Sequence, residues 1–319
     1  MEGVAVLAEP VEQEEQDAGK MPALQLPGEK NGKKTGVFAN TKLDAILIAL
    51  CFVGIGTYVL TAIYFSVIPW YYLVLIGLFS SILICFNSEC VTHTHNHTPI
   101  FRSKLLNKIF SVINTPALGE VVTINHIFHF NHHRYVNDQI DPETGKTGDW
   151  TSSYRRGKNG QQEHFIPYVL GMVLRYRFYG KDMQDIHEEF EAEVKRRRVK
   201  RQIQIESAVQ KLFYVLLIWL SWRMFVFFYL PVWFVGSVAA WGFGYGEHYG
   251  ATPGNRKTDS VSSYNPFYNS LMFNNGYHQE HHFRPDMHWS KLPRIHSDML
   301  PDDQRVIITG THLSNLGLW

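Results

Sequence analysis

The segment 276–285 reads GYHQEHHFRP, and the other histidine-rich segments are interpreted around it. Its core is the triplet His278, His281 and His282. On a helix, positions i, i+3 and i+4 lie on one face, so the pattern brings three imidazoles together. Neutral imidazole is a common metal ligand, whereas three polar rings pack poorly in an apolar core. The triplet therefore predicts one wall of a metal site.

The same spacing occurs a second time in residues 129–133, and an i, i+4 pair precedes it at His93 and His97. A further histidine, His248, follows a glycine-rich apolar run. A shared metal site would draw on all of them. The candidate ligands are His93, His97, His129, His132, His133, His248, His278, His281 and His282.

The remaining histidines are interpreted differently. His95 is two residues from His93, so its ring should point away from the ligand face. His126 lies one turn before His129, so it either extends the stripe or serves on the surface. Five others stand outside the patterns and are expected to be surface or packing residues. They are His164, His187, His288, His296 and His312.

Composition points to a membrane rather than to nucleic acid. Of 319 residues, 45% are hydrophobic and only 18% are charged, against about 25% in a typical soluble protein. The net charge is +1, with no basic RNA-binding motif, so no nucleic-acid partner is expected. The three cysteines form no C-x-x-C pair, which argues against a disulfide framework.

Four segments are apolar enough to cross a bilayer, which needs about 20 such residues. The predicted spans are 43–66, 70–86, 212–230 and 231–246, with Pro69 and Pro231 marking the two turns. The second helix is expected to continue through His93 and His97. Residues 1–40 are rich in Glu, Lys, Gly and Pro and are predicted to be a disordered tail, followed by a folded domain at 41–319.

Basic residues set the expected orientation. The two turns contain no Lys or Arg, whereas the tail and the central section between the second and third spans contain many. The positive-inside rule therefore places both termini and the central section in the cytosol. Every candidate ligand then falls on one side of the membrane. The fold class predicted is all-α, with four transmembrane helices in two hairpins and a cytosolic helical cap that holds a two-metal site.

Two further segments leave alternatives open. Residues 195–201 read KRRRVKR and would suit a cytosolic face near anionic lipid, although a solvated helix face explains them equally well. The fourth span carries seven small residues between Gly236 and Gly246. They could allow close helix packing, which we favour, or leave room for a substrate chain.

The donor set favours two iron ions. Nine imidazoles exceed the four ligands of one zinc ion, and thiolate-free histidine sites suit non-haem iron. Iron can activate O2, which zinc cannot, and this permits attack on an unactivated C–H bond. In a membrane, the expected substrate is a lipid chain that reaches the metals between the spans.

The three histidine boxes and the hairpin spacing resemble the membrane fatty acid desaturase and hydroxylase superfamily over residues 41–301. The box at 93–97 is followed by TPIF, the box at 129–133 by RYVNDQIDP, and the last box runs on as HHFRPDMHWSKLP. The segment GEHYG at 246–250 also resembles the alkane monooxygenases. The resemblance implies a di-iron oxygenase with the nine histidines as ligands, two Fe²⁺ ions as cofactors and O2 as co-substrate.

The same resemblance leaves the reaction open. The last box favours desaturation of a lipid or fatty acyl chain, whereas GEHYG favours hydroxylation, and oxidative decarboxylation of a fatty acid is a further alternative. No fused cytochrome b5, flavin or nicotinamide motif is seen, so electrons are expected from a separate ferredoxin, rubredoxin or cytochrome b5 type protein. The basic segment 195–201 is a candidate dock for it. A bacterial inner membrane and the endoplasmic reticulum both fit.

Carboxylates that could support the ligating rings follow from the usual pairing of metal-bound histidine with an acid. Glu89 and Asp141 are ranked first. The others are Asp138, Asp149, Glu247 and Glu280. Two competing functions are a zinc hydrolase built from the same histidines and a structural or lipid-binding membrane protein. The latter gives no reason for nine aligned imidazoles.

Overall fold

The computed structural model describes residues 36–178 and 184–317. Most of the predicted tail, residues 1–35, lies outside this part. The last residues assigned to the tail are described, and Phe38 forms an antiparallel bridge with Phe101 and stacks on its ring at 5.8 Å. Residues from about 37 onwards therefore pack against the helical region.

Helices dominate the described part of the chain. Helix α1 spans Asp44–Tyr64, α2 Trp70–Phe86, α3 His93–His97, α4 Lys104–Leu118, α5 Val122–Tyr135, α6 Phe165–Phe178, α7 Gln184–Arg197, α8 Lys200–Met224, α9 Leu230–His248, α10 Pro266–Leu271 and α11 His278–Phe283. A two-residue parallel pairing joins β1 (Ser262–Ser263) to β2 (Ile307–Ile308). Short 3₁₀ turns follow α11 at Trp289–Arg294, His296–Asp298, Asp302–Gln304 and His312–Ser314.

The described residues contain three helical stretches that are long and apolar enough to cross a membrane: Asp44–Tyr64, Trp70–His97 and Lys200–His248. Pro69 starts the second stretch, as predicted. Many large apolar side chains on these helices face outward, including Trp70 at 75% and Trp219 at 78% exposure. A surface this apolar requires lipid around it, so the chain is a membrane protein.

The second stretch reaches the first histidine pair without a break. A π-helical turn at Asn87–Thr92 joins α2 to α3. Each π-helical turn inserts extra residues and changes the faces that later residues occupy. The turn thus connects the apolar part of the stretch to His93 and His97.

The third stretch is not one straight rod. Ser221 has extended backbone angles (φ −164°, ψ 98°) inside α8, and a π-helical turn at Phe225–Tyr229 leads into α9. The ring of Tyr214 lies 5.7 Å from that of Tyr229. Fifteen residues of straight helix would separate them by about 22 Å. The chain therefore reverses at Ser221, and the turn predicted at Pro231 is wrong: Pro231 lies inside the helical arm that follows Ser221, just after the π-helical turn, where the regular hydrogen-bond pattern is already interrupted.

One apolar core holds these helices together. Tyr58 from α1, Ile84 from α2, Leu217 from α8 and Val232 from α9 are buried in the same cluster. Helices α4 and α5 and the segment after α9 lie at the end of the bundle that carries the histidines. Many of the buried polar side chains lie at this end.

Candidate metal centre

Four elements supply the nine predicted histidines to one place. Helix α3 contributes two, α5 three, the last residue of α9 one and α11 three. Helix α11 has only six residues, but the spacing i, i+3, i+4 still places its rings on one face. Residues as far apart as 93 and 282 thereby meet.

Five of the rings form a first group. The Nε2 atoms of His97 and His129 lie 2.6 Å apart, and those of His93 and His281 2.7 Å apart. His133 Nε2 lies 3.1 Å from both His129 Nε2 and His281 Nε2. One ring nitrogen from each of the five lies within 4.8 Å of all the others.

The other four rings form a second group beside it. His132, His248 and His282 also offer ligand atoms within 4.8 Å of one another. His278 joins them, because its Nε2 lies 3.3 Å from that of His248 and 3.1 Å from that of His282. The rings of His133 and His282 stack at 4.3 Å, so the two groups are in contact.

The spacing fits a metal ion in each group. Imidazole nitrogens bind metals at about 2.1 Å, so opposite ligands of one ion are about 4.2 Å apart. Five of the rings are also held in the neutral state that binds a metal ion. Burial, reinforced by the neighbouring rings, lowers the pKa of His129, His133, His278, His281 and His282 well below the usual histidine value. Lone pairs of neutral ring nitrogens at this spacing are satisfied better by a cation in each group than by contacts between the rings.

Asp149 supports the second group directly. The Nδ1–H of His132 donates to Asp149 Oδ2 at 2.7 Å. Burial opposes charge on both partners, but their attraction and hydrogen bond raise the pKa of His132 and lower that of Asp149. The carboxylate thus holds the proton on Nδ1 and leaves Nε2 facing the site.

Asp149, rather than Asp141, occupies the supporting position. Asp141 is exposed, and its carboxylate accepts the N–H groups of Glu143 and Thr144 in a loop. The higher rank given to Asp141 was wrong, because the chain turns back after the helix and brings Asp149 to His132. Asp138 stabilises that turn by accepting the N–H groups of Gly148 and Asp149.

The remaining predicted carboxylates take three different positions. Glu89 is buried one turn before His93, and its side chain borders a cavity. Glu247 Oε2 lies 3.5 Å from His278 Nε2, and its Oε1 accepts from Asn275 at 2.8 Å. Glu280 turns away from the rings and accepts from Ser262 and Tyr264.

The Nδ1 atoms of the other ligating rings differ in whether they have a hydrogen-bond partner. His248 Nδ1 donates to the carbonyl of Asp259 at 3.0 Å. In the described part of the chain, the buried Nδ1 atoms of His133, His278 and His282 have no hydrogen-bond partner. The orientation of these three rings therefore depends on packing and on what binds at Nε2.

Histidines outside the nine lie elsewhere. His95 bonds to Ser111 at 2.9 Å and faces away from the centre, as predicted. His126 does not join the stripe, because its Nε2 lies 3.4 Å from Arg197. His312 is buried, bonds to Tyr268 and lies 3.6 Å from Glu247, so it borders the centre although no spacing pattern pointed to it. His288 is buried against Asp44 at 3.2 Å.

A cavity of about 140 Å³ leads from the centre into the helical bundle. Its lining includes His93, His132 and Glu247 from around the centre and the apolar residues Ile84 and Trp241 from the bundle helices. One face of α9 lines it through Ser237, Ala240, Trp241 and Gly244. The cavity therefore joins ligating rings to apolar side chains of α2 and α9.

Some small residues of α9 allow close helix packing, and others leave open space beside the helix. A Cβ on Gly236 would lie 2.7 Å from Ile84 Cβ, and one on Gly246 would lie 2.1 Å from the carbonyl oxygen of His312, so both pack closely. Gly244 borders the cavity, and a Cβ there would meet nothing within 4 Å. Close packing and open space thus alternate along one helix.

Comparison with known families gives the class of protein. The family model for fatty acid desaturase matches residues 43–309, which span all four histidine-bearing elements. The chain belongs to the fatty acid desaturase family. Membership indicates an oxidoreductase of the membrane desaturase and hydroxylase type. No curated protein matches the chain.

Proposed function

We propose that the chain is a membrane di-iron oxygenase that oxidises unactivated C–H bonds of a lipid or fatty acyl chain, with O2-dependent desaturation as its reaction. The observation that carries the proposal is the convergence of nine imidazoles from four elements at the end of a cavity that enters an apolar bundle. Family membership supports the same reaction type.

The nine histidines would hold the two ions. His93, His97, His129, His133 and His281 would bind one, and His132, His248, His278 and His282 the other. When bound, a pair of Fe²⁺ ions supplies the activation of O2 that C–H cleavage needs. The chain's own residues orient the rings, as Asp149 does for His132, and bring the substrate alongside them.

The lipid chain would lie in the cavity bordered by α2 and α9. The apolar residues that line it would contact the lipid chain, and the limited space would restrict which carbons come near the rings. Hydroxylation and oxidative decarboxylation are alternative reactions of the same site, and GEHYG at 246–250 favours hydroxylation.

The proposed membrane arrangement has four spans in two hairpins. The reversal at Ser221 supports it, because it splits the third helical stretch into two antiparallel arms. We further propose that the termini and the histidine centre face the cytosol, in a bacterial inner membrane or the endoplasmic reticulum. The concentration of Lys and Arg in the tail and central section supports this orientation.

The test is lipid mass spectrometry of cells that express the wild type, His282→Ala or His95→Gln. The wild type should produce a lipid with two hydrogens fewer, or one oxygen more, and His282→Ala should abolish it. His95→Gln is the matched control, since this ring bonds to Ser111 outside the centre. Zinc in the purified protein together with activity that needs no O2 would instead indicate a hydrolase.

A further inference from the structure

The proposed reaction requires two electrons that the substrate does not provide. Desaturation converts O2, two C–H hydrogens, two further electrons and two protons into an alkene and two water molecules. Hydroxylation also takes two external electrons. An electron-carrying protein must therefore approach the histidine centre at the surface of this chain. The inference about that surface rests on the proposed function.

The ring of Phe130 contacts both the first histidine group and a basic residue of the run 195–201. Phe130 stacks on His97 with ring centroids 5.4 Å apart and planes at 28°. On its other side, the guanidinium carbon of Arg197 lies 5.0 Å from the Phe130 ring centroid. His126 completes the contact, 4.5 Å from Phe130 and 3.4 Å from Arg197. One side chain thus separates a predicted iron ligand from a cation on the surface.

The surface around Arg197 is strongly basic. Six of the seven residues in 195–201 are Lys or Arg. Within that run, Lys195, Arg196, Arg198, Lys200 and Arg201 are exposed. Glu193 pairs with Arg196 at 2.6 Å and with Arg197 at 3.0 Å, which leaves the other charges of the run in excess.

The basic run is fixed against the histidine helix. Val194 lies in a buried cluster with Ile127 of α5, and Val199 and Ile203 pack against that cluster. Arg134, one turn after Phe130 on α5, is 53% exposed and lies 3.9 Å from Glu193. The cations therefore surround the end of the Phe130 contact on a rigid support.

We propose that Arg134 and the run 195–201 form the docking surface for a small acidic one-electron carrier protein, with Phe130 as the contact between that surface and the ligand His97. In each encounter the carrier loses one electron and one bound Fe³⁺ becomes Fe²⁺, so two encounters serve one O2. Opposite charges steer the encounter and make it sensitive to salt.

An anionic lipid surface is the other partner that such a run could bind. The position of Phe130 between Arg197 and His97 favours the carrier, because a lipid headgroup would have no use for a route to the metal. The two are separated by measuring protein binding in a bilayer that carries no net charge.

The experiment uses the full-length, iron-loaded protein in phosphatidylcholine nanodiscs, with plant-type [2Fe–2S] ferredoxin and cytochrome b5 as the acidic probes. Surface plasmon resonance measures affinity at rising NaCl. Charge reversal combines Lys200→Glu with Arg201→Glu, because acidic residues are well tolerated at a helix N-terminus. Lys158→Glu with Arg294→Glu is the matched control, at exposed positions outside the run.

The proposal expects salt-dependent binding of at least one probe, weakened tenfold or more by the charge reversal and less than twofold by the control. Equal binding by wild type and charge-reversed protein overturns it, as does the lack of salt-dependent binding to the wild type. Loss only of adhesion to phosphatidylserine vesicles assigns the run to lipid instead.

Phe130→Leu tests the route apart from the dock. It should leave affinity within twofold and slow reduction of the iron by the bound carrier at least threefold in stopped flow; an unchanged rate overturns the route. Turnover driven by reduced methyl viologen bypasses docking. No lipid oxidation with this mediator rejects the proposed function, whereas oxidation that persists with an unaltered carrier dependence in the charge-reversed protein rejects the dock alone.

Discussion

Asp149 accepts the Nδ1–H of His132 at 2.7 Å while lying in the loop that follows the helix of His132. The aspartate has no solvent exposure, and it also accepts the N–H of Asn137 at 2.8 Å and that of Thr151 at 2.7 Å. A network that holds the carboxylate this firmly fixes the ring as well. His132 is thereby oriented before any metal binds.

Asp149→Asn should lower iron affinity about 10- to 100-fold, because the amide can present its NH2 to Nδ1 and no longer fixes the ring's tautomer. Chelator titration with metal analysis of the purified protein measures the change. Asp141→Asn is the matched control, since that carboxylate is exposed and caps only its own loop. Equal iron retention by both variants would remove Asp149 from the support of the centre.

Gly236→Ala should destabilise the protein by about 1–3 kcal/mol, the usual cost of overpacking. The added methyl group would lie 2.7 Å from Ile84 Cβ and 3.0 Å from the carbonyl oxygen of Ser81, between α9 and α2. Thermal unfolding in detergent followed by circular dichroism measures the effect. Gly244→Ala, on the same helix with no atom within 4 Å of the new Cβ, should unfold no earlier than wild type.

Gly244→Leu should instead alter the product, because its side chain would enter the cavity beside Trp241. A shortened or narrowed cavity places different carbons beside the rings. We expect a shift in the position or chain length of the oxidised lipid, with iron content unchanged, measured by mass spectrometry of derivatised products. An unaltered product profile at full activity would show that the substrate does not pass Gly244.

The ligand positions of the histidine centre could be predicted from the sequence because helical spacing is a local property. The triplets at 129–133 and 278–282 each fix their rings on one face, and hydropathy together with charge placed all the histidine-bearing segments on one side of the membrane. The supporting contacts were harder to predict. Asp149 meets His132 through a loop whose path no periodicity predicts, so Asp141, which is nearer in sequence, ranked higher.

The fold shows the same division between local and long-range information. Pro69 was a reliable boundary because it precedes the first residue of α2, where the N–H that proline lacks is not needed for a helical hydrogen bond. The turn predicted at Pro231 is wrong, because this proline follows a π-helical turn inside a continuing helical arm, and the chain reverses ten residues earlier at Ser221. Nothing in the apolar run around Ser221 distinguishes an extended residue from a helical one.

Glu206 of α8 contacts the start of α5, the helix that carries His129, His132 and His133. Its carboxylate has no solvent exposure and accepts the N–H of Thr123 at 2.8 Å and the Thr123 hydroxyl at 2.7 Å, with Gln202 adding a third bond at 2.9 Å. Thr123 lies in the first turn of α5, where N–H groups lack partners within the helix. Glu206 thus joins a bundle helix to the start of the helix that carries His129.

Glu206→Ala should cost about 1–3 kcal/mol, because it leaves a buried N–H and a hydroxyl without an acceptor. Since α5 carries His129, His132 and His133, loosening its first turn should also speed iron release to a chelator. Glu191→Ala, an exposed glutamate on α7, is the matched control and should change neither quantity. In a double-mutant cycle with Thr123→Ala, the two losses should be clearly less than additive. Full additivity, or iron release at the wild-type rate, would mean that Glu206 does not hold the start of α5.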